Sequence, residues 1–273
     1  MTTLLSPLQT MTRRALIAGA ACAVLCTPLL GAAEDALTAQ QIIDKMSARN
    51  STLGVNQGQA QITLLIKDKS GDKRVRSMQV RSKKIGESAK SVVKLTAPKE
   101  VKGQSFLFSE NKSADDDVWM FLPAFKVTRR IEGSNKKGAF LGSHFSFSDL
   151  ESRDIKSGTY KKLPDEKIKT EEVYVIQSTP KSSVKSEYGK VVTYVRKRDY
   201  LPSKVKFYAP DGTTLVKTIF MQQFAKTSKG EPYVKQMTLS LPEGGGFTTI
   251  KIDSISDSVD LPDAIFTKEQ FSK

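Results

Sequence analysis

From Gln59 to Ser254 the chain is patterned in period two, and that leaves few folds open to it. The stretch QAQITLLIK (59–67) alternates polar and apolar side chains, DKSGD (68–72) turns it, and 74–81 answers with the same alternation. The pattern returns at 91–96, 104–109, around Trp119, and at 126–131, 172–177, 191–196, 204–208, 214–223, 233–241 and 248–254. Alternation puts successive side chains on opposite faces only in an extended chain, so around a dozen short strands are predicted. Turns such as Pro210-Asp211-Gly212 separate them, proline presetting φ and glycine accepting φ > 0. Evenly spaced, hairpin-linked strands make an antiparallel meander, and a sheet of that many strands curls or closes.

Helical period shows in one place. Thr38 and Gln41 have the spacing of a capping box, and Ile42, Ile43 and Met46 then share one face. A helix is predicted from Ala39 to Arg49, ending near Asn50 and Gly54. A second, short one is expected to begin at Leu261-Pro262-Asp263, with Asp263 as its cap. No internal linker rich in proline, glycine or serine interrupts 34–273, which reads as one domain.

Residues 1–33 read as a secretory signal peptide. Arg13 and Arg14 precede an apolar run, Ala15 to Leu30, and Gly31-Ala32-Ala33 supplies small residues for cleavage after Ala33. Both cysteines, Cys22 and Cys26, fall inside it, so the exported chain has no disulfide, thiolate metal site or cysteine nucleophile. A cysteine-free exported domain of this size suits a bacterial periplasm. The signal removes two of the 43 basic residues and none of the 29 acidic ones, which leaves a formal +12. A basic balance favours anionic partners: nucleic acid, against which export argues, an anionic membrane surface or an acidic protein; the lysines are scattered along the whole chain, as on a solvated basic surface.

Catalytic chemistry finds little support. His144 is the single histidine, and no nucleophile motif, phosphate loop, metal-binding motif or cofactor motif accompanies it. Asp115, Asp116 and Asp117 lack the alternate spacing and closing glutamate of a calcium loop. The unusual stretch is apolar. In Val118–Leu122, Val118, Met120 and Leu122 share one face and Trp119 and Phe121 the other, so both faces need a cover. The N-terminal helix suits one. The glycine-punctuated segment 138–150 suits the other, its Phe145 and Phe147 alternating with polar neighbours. Two readings stay open: a filled core with a loop tucked over it, or an apolar cavity with the aromatic segment as wall or lid. The wall candidates are Trp119, Phe121, Phe125, Phe140, Phe145 and Phe147. Arg129 and Arg130 point to opposite faces of a strand, so they cannot form one anion clamp; with Asp149 they are the candidates for fastening the loop.

Several segments, in order, resemble one family. DDDVWMFLPAFKVTRRI (115–131), GAFLGSHFSFSDLESRD (138–154), APKEVKGQSFLF (97–108), VVTYVRKRDYLPSKVKFYAPDG (191–212) and VDLPDAIFT (259–267) are similar to the LolA-like outer-membrane lipoprotein-sorting proteins. The resemblance spans about Ala39 to Phe271. It implies an incomplete antiparallel β-barrel, a curved sheet of about 11 strands, with the helix and short helices or loops covering a concave apolar face. It also implies a hollow that takes acyl chains of lipoproteins or other lipids. Members with this signature are often linked to export transporters of the resistance-nodulation-division (RND) type. The expected function is therefore that of a periplasmic carrier without catalysis or cofactor. The alternative is a non-catalytic adaptor of an envelope RND-type export system.

Overall fold

The computed structural model describes residues 37–49, 57–86, 88–111, 116–150, 158–182 and 186–273; the expected signal peptide, Asn50, Gly54 and Asp115 lie outside them. The described residues all belong to one compact unit, Leu37–Lys273. It holds one α-helix, α1 (Ala39–Ala48), and thirteen strands in a single antiparallel sheet. The strands are β1 (Gln57–Lys67), β2 (Lys73–Ile85), β3 (Ser88–Ala97), β4 (Ser105–Ser109), β5 (Asp117–Leu122), β6 (Val127–Ile131), β7 (Gly158–Ile168), β8 (Glu171–Pro180), β9 (Lys190–Arg196), β10 (Pro202–Tyr208), β11 (Leu215–Lys226), β12 (Pro232–Ser240) and β13 (Phe247–Ser256). Among the described residues no helix is long and apolar enough to cross a membrane.

The strand order runs from β6 down to β1, then from β13 down to β7. Two meanders are thus joined side by side through the β1–β13 ladder, which pairs Gln59 with Ser256 and Lys67 with Phe247. The sheet is curved and unclosed, an incomplete barrel. Its two free edges, β6 and β7, are consecutive in sequence. Of the chain between them, 133–150 runs across one face, called here the inner face, as far as Lys217 of β11.

Alternation holds where the sheet is half-buried. In β1, Ala60, Ile62, Leu64 and Ile66 are buried on the inner face while Gln61, Thr63 and Leu65 are not. They join Met78, Val80, Val93, Leu95, Phe106, Val118, Ile219, Leu239 and Ile252 in the main core. The sheet has thirteen strands, against the twelve stretches that the period-two pattern marks and the about 11 strands that the resemblance implies. The strand without a sequence counterpart is β7, GTYKKLPDEKI, whose residues are mostly exposed and whose ladder is bulged between Leu163 and Glu166. Proline and charges are what an edge strand tolerates, and they erase the apolar alternation that marks the others.

The Thr38–Gln41 capping box forms, hydroxyl to amide at 3.2 Å and side-chain carbonyl to amide at 2.8 Å. Ile42, Ile43 and Met46 pack on Ile176 and Val195 of β8 and β9. The helix therefore covers the β7–β9 end of the sheet and not the Trp119 strand. Trp119 and Phe121 are covered instead from the outer face, by the C-terminal stretch carrying Leu261, Phe266 and Phe271. Lys83 ties that stretch down, to the Leu261 carbonyl at 2.7 Å and to the Asp263 carboxylate at 2.7 Å. The terminal turn is a 310 helix, Asp263–Phe266, with no side-chain cap; Asp263 is used in the Lys83 ion pair.

Candidate functional site: an apolar cavity on the inner face

The crossing segment owes its path to alternating apolar and polar residues. Phe140, Phe145 and Phe147 are buried in the main core. Phe140 meets Phe106 edge-on at 5.2 Å between ring centres and Phe147 at 5.5 Å. Each buried phenylalanine contributes about 1.5–3 kcal/mol of transfer energy, so three of them hold the segment against the sheet. The polar residues between them supply the fasteners. Phe140 donates its N–H to the Phe145 carbonyl at 2.8 Å, closing a tight loop in which Leu141 has φ 55° and Gly142 φ 67°. Arg76 and Arg74 of β2 donate to the carbonyls of Leu141 and Gly142 at 3.0 and 3.3 Å.

His144 reaches the opposite hairpin. Its backbone N–H and its Nδ1 both meet the Thr248 hydroxyl, at 3.1 and 2.8 Å. Burial, with the Arg74 charge adding to it, pushes the imidazole below its ordinary value of 6.5. His144 is thereby a docking residue. The fit is close: a Cβ on Gly246, where φ is +106°, would lie 2.8 Å from His144 Nε2 and 2.6 Å from the Lys67 carbonyl.

Asp149 makes the strongest attachment. Its side chain is fully buried. It accepts from the Ser146 N–H at 2.7 Å, the Tyr188 hydroxyl at 2.8 Å and the Lys217 ammonium at 2.5 Å. Lys217 stands on the inner face of β11, in register with Phe207 and two residues before Ile219. A charge at such a position needs a counter-charge, and Asp149 is that group.

Beyond this point the crossing segment no longer fills the space over the sheet. A cavity of about 310 Å³ opens between it, α1, strands β7 to β13 and β1. Ile43 and Met46 line it from the helix, Phe145 and Leu150 from the crossing segment, and Ile219, Met221, Met237 and Ile252 from the sheet. Its volume sits at the lower end of the ~300–1,000 Å³ range of ligand pockets. The polar members include Arg49, Asp149 and Lys235. Arg49 pairs with Glu231 at 2.8 Å, both about half exposed.

The aromatic residues singled out by sequence therefore separate. Phe145 lines the cavity. Phe140 and Phe147 lie in the core beside it, holding the wall from behind. Trp119 and Phe121 are on the outer face under the C-terminal stretch, and Phe125 is 74% exposed in the β5–β6 turn, so none of these three meets the cavity. Asp149 fastens the crossing segment, but to Lys217 and Tyr188. Arg130 pairs with Asp117 and Glu132 on the outer face of its own hairpin, and Arg129 occupies the other face, opposite Met120. Arg74, Arg76 and Lys217, which do the fastening, escaped notice. Lys217 had a signal: it breaks the apolar side of Lys217-Ile219-Met221.

A protein-family model described as that of an uncharacterized protein matches residues 87–273. None of the curated proteins compared matches the chain. Solved structures do. A domain described as an outer membrane lipoprotein-sorting protein domain, from Vibrio parahaemolyticus, is 27% identical with a TM-score of 0.77, over 85% of this chain and 97% of that one. A DUF1329 family protein from Desulfovibrio piger is 27% identical with a TM-score of 0.77, over 84% and 95%. A LolA superfamily protein from Nitrosomonas europaea, 24% identical with a TM-score of 0.66 over 86% and 99%, shares the fold. The chain belongs to the family whose model matches residues 87–273, and its fold is the LolA-like one that these solved structures share.

Proposed function

We propose that this protein is a periplasmic carrier that takes an acyl chain of a lipid or lipoprotein into the inner-face cavity and passes it between envelope components. The observation that carries the reading is the cavity: a space with a predominantly aliphatic lining, walled by a segment that is itself pinned at separate points. An acyl chain gains about 0.8 kcal/mol per methylene removed from water, so even part of a chain is retained. Family membership supports the same reading, since the Vibrio relative is described as a lipoprotein-sorting domain. The role needs no catalysis: His144 and Asp149 are both engaged in holding the wall. The basic balance suits approach to anionic headgroups. Pairing with an RND-type inner-membrane transporter is part of the proposal.

The test is lipid extraction of protein purified without detergent, followed by displacement of a fluorescent fatty acid. Co-purified acyl chains and saturable displacement are expected, both reduced in Phe145→Asp. Protein that is repeatedly free of lipid and binds no probe would refute the carrier and favour the adaptor.

A further inference from the structure

Lys217 and Lys235 both stand on the inner face, and they are treated differently. Lys217 on β11 finds Asp149 at 2.5 Å. Lys235 on β12 lies between Tyr233 and Met237, on the side of the strand that lines the cavity. It is partly buried, and no carboxylate among the described residues pairs with it. Among the described residues of the lining Asp149 is the one acid, and Lys217 already holds it. The other cation of the lining is Arg49. Its partner Glu231 is 54% exposed, and an exposed pair of that kind is weak and exchangeable. Among the described residues the cavity is thus apolar in its body and carries an uncompensated positive charge in its wall.

Lys235 is partly buried on an otherwise apolar stretch of wall beside Tyr233 and Met237, and an ammonium on such a wall gains from a counter-charge. A chain of neutral head would leave it unanswered. The geometry points to a single-chain amphiphile with an anionic head, carboxylate or phosphate, its tail against Ile219, Met221 and Phe145 and its head on Lys235 with Arg49 in support. The small volume fits one chain and not several. This assignment rests on the cavity being a ligand site, as argued above, and adds the chemistry of the head.

The experiment uses the neutral fluorophore N-phenyl-1-naphthylamine as the displaced probe, with laurate, dodecyl phosphate and neutral monolaurin as competitors of equal chain length. Wild-type protein, Lys235→Met and Lys235→Arg are compared after urea melts show that all three fold. The expected result is displacement by laurate or dodecyl phosphate at concentrations at least tenfold below monolaurin. That ratio falls to within twofold of one in Lys235→Met and is kept in Lys235→Arg. The arm that competes better tells carboxylate from phosphate. Equal potency of all three in the wild type, or an unchanged ratio in Lys235→Met, overturns the head assignment while leaving the carrier reading in place. Failure of every competitor and of the probe itself overturns both.

Discussion

Replacing Asp149 with alanine tests whether the cavity wall is held as described. The carboxylate is fully buried and receives three donors, one of them the Lys217 ammonium. Removing it leaves that ammonium, only 9% exposed, without a counter-charge. Breaking a buried pair from one side costs about 3–5 kcal/mol, because the surviving charge is stranded. For a domain of this size that corresponds to a fall in Tm of about 6–20 °C, at roughly 2–4 °C per kcal/mol. Urea unfolding is the assay, with an unchanged m-value showing that the same surface is exposed. The double variant Asp149→Leu with Lys217→Met removes both charges, and since apolar replacement of a buried pair is often neutral it should recover most of the loss. A single variant within about 1 kcal/mol of wild type, or a double variant no better than the single, would refute the assignment.

Phe140→Ala should cost about 3–5 kcal/mol in urea melts, because its ring is enclosed by Phe106, Phe108 and Phe147. Phe125→Ser should change stability by less than about 0.5 kcal/mol, its ring being 74% exposed. Gly246→Ala should be destabilising by well over the ~1 kcal/mol of an ordinary glycine replacement, since both its φ of +106° and its approach to Lys67 and His144 forbid a Cβ. His144 has a folded pKa below its ordinary 6.5, so its neutral form stabilises the fold above that pH, and the stabilisation is lost as pH falls below about 6.5. Melts across pH 7.5 to 5 should show that decline in wild type and not in His144→Gln. Asp211 is drawn down to about 2, chiefly by the Thr214 hydroxyl and then by the Thr214 and Thr213 amides. Its stabilisation is complete above pH 4 and fades toward pH 2, so wild type and Asp211→Asn should differ in urea midpoint at pH 5 and converge at pH 2.

Most of the fold was legible because a half-buried strand alternates, as β1 does, and twelve of the thirteen strands have a counterpart in the sequence pattern. β7 was not, since an edge strand carrying Pro164 and a run of lysines and acids buries too little to alternate. The capping box of α1 was legible because its two bonds are local; where the helix docks was not, because that depends on which strands its face meets across the sheet. The Trp119 strand shows the same divide. Its two apolar faces announce two covers, but the outer cover comes from Phe266 and Phe271, more than 140 residues downstream. The cavity was legible only through Phe145. Its remaining walls are α1 and inner-face residues of eight strands, each looking like ordinary core in sequence; the void arises from the distance between helix and sheet, which no period encodes. The crossing of 133–150 follows from β6 and β7 being the two free edges, a fact of strand order.

The central claim is that an acyl chain occupies the space beside Ile219 and Met221. Native mass spectrometry of protein purified without detergent, compared with an Ile219→Trp variant that fills that space, tests it most directly. The account predicts a one-to-one adduct carrying an acyl chain on the wild type and its loss from the variant. An absent adduct, or the same adduct on both proteins, would contradict it.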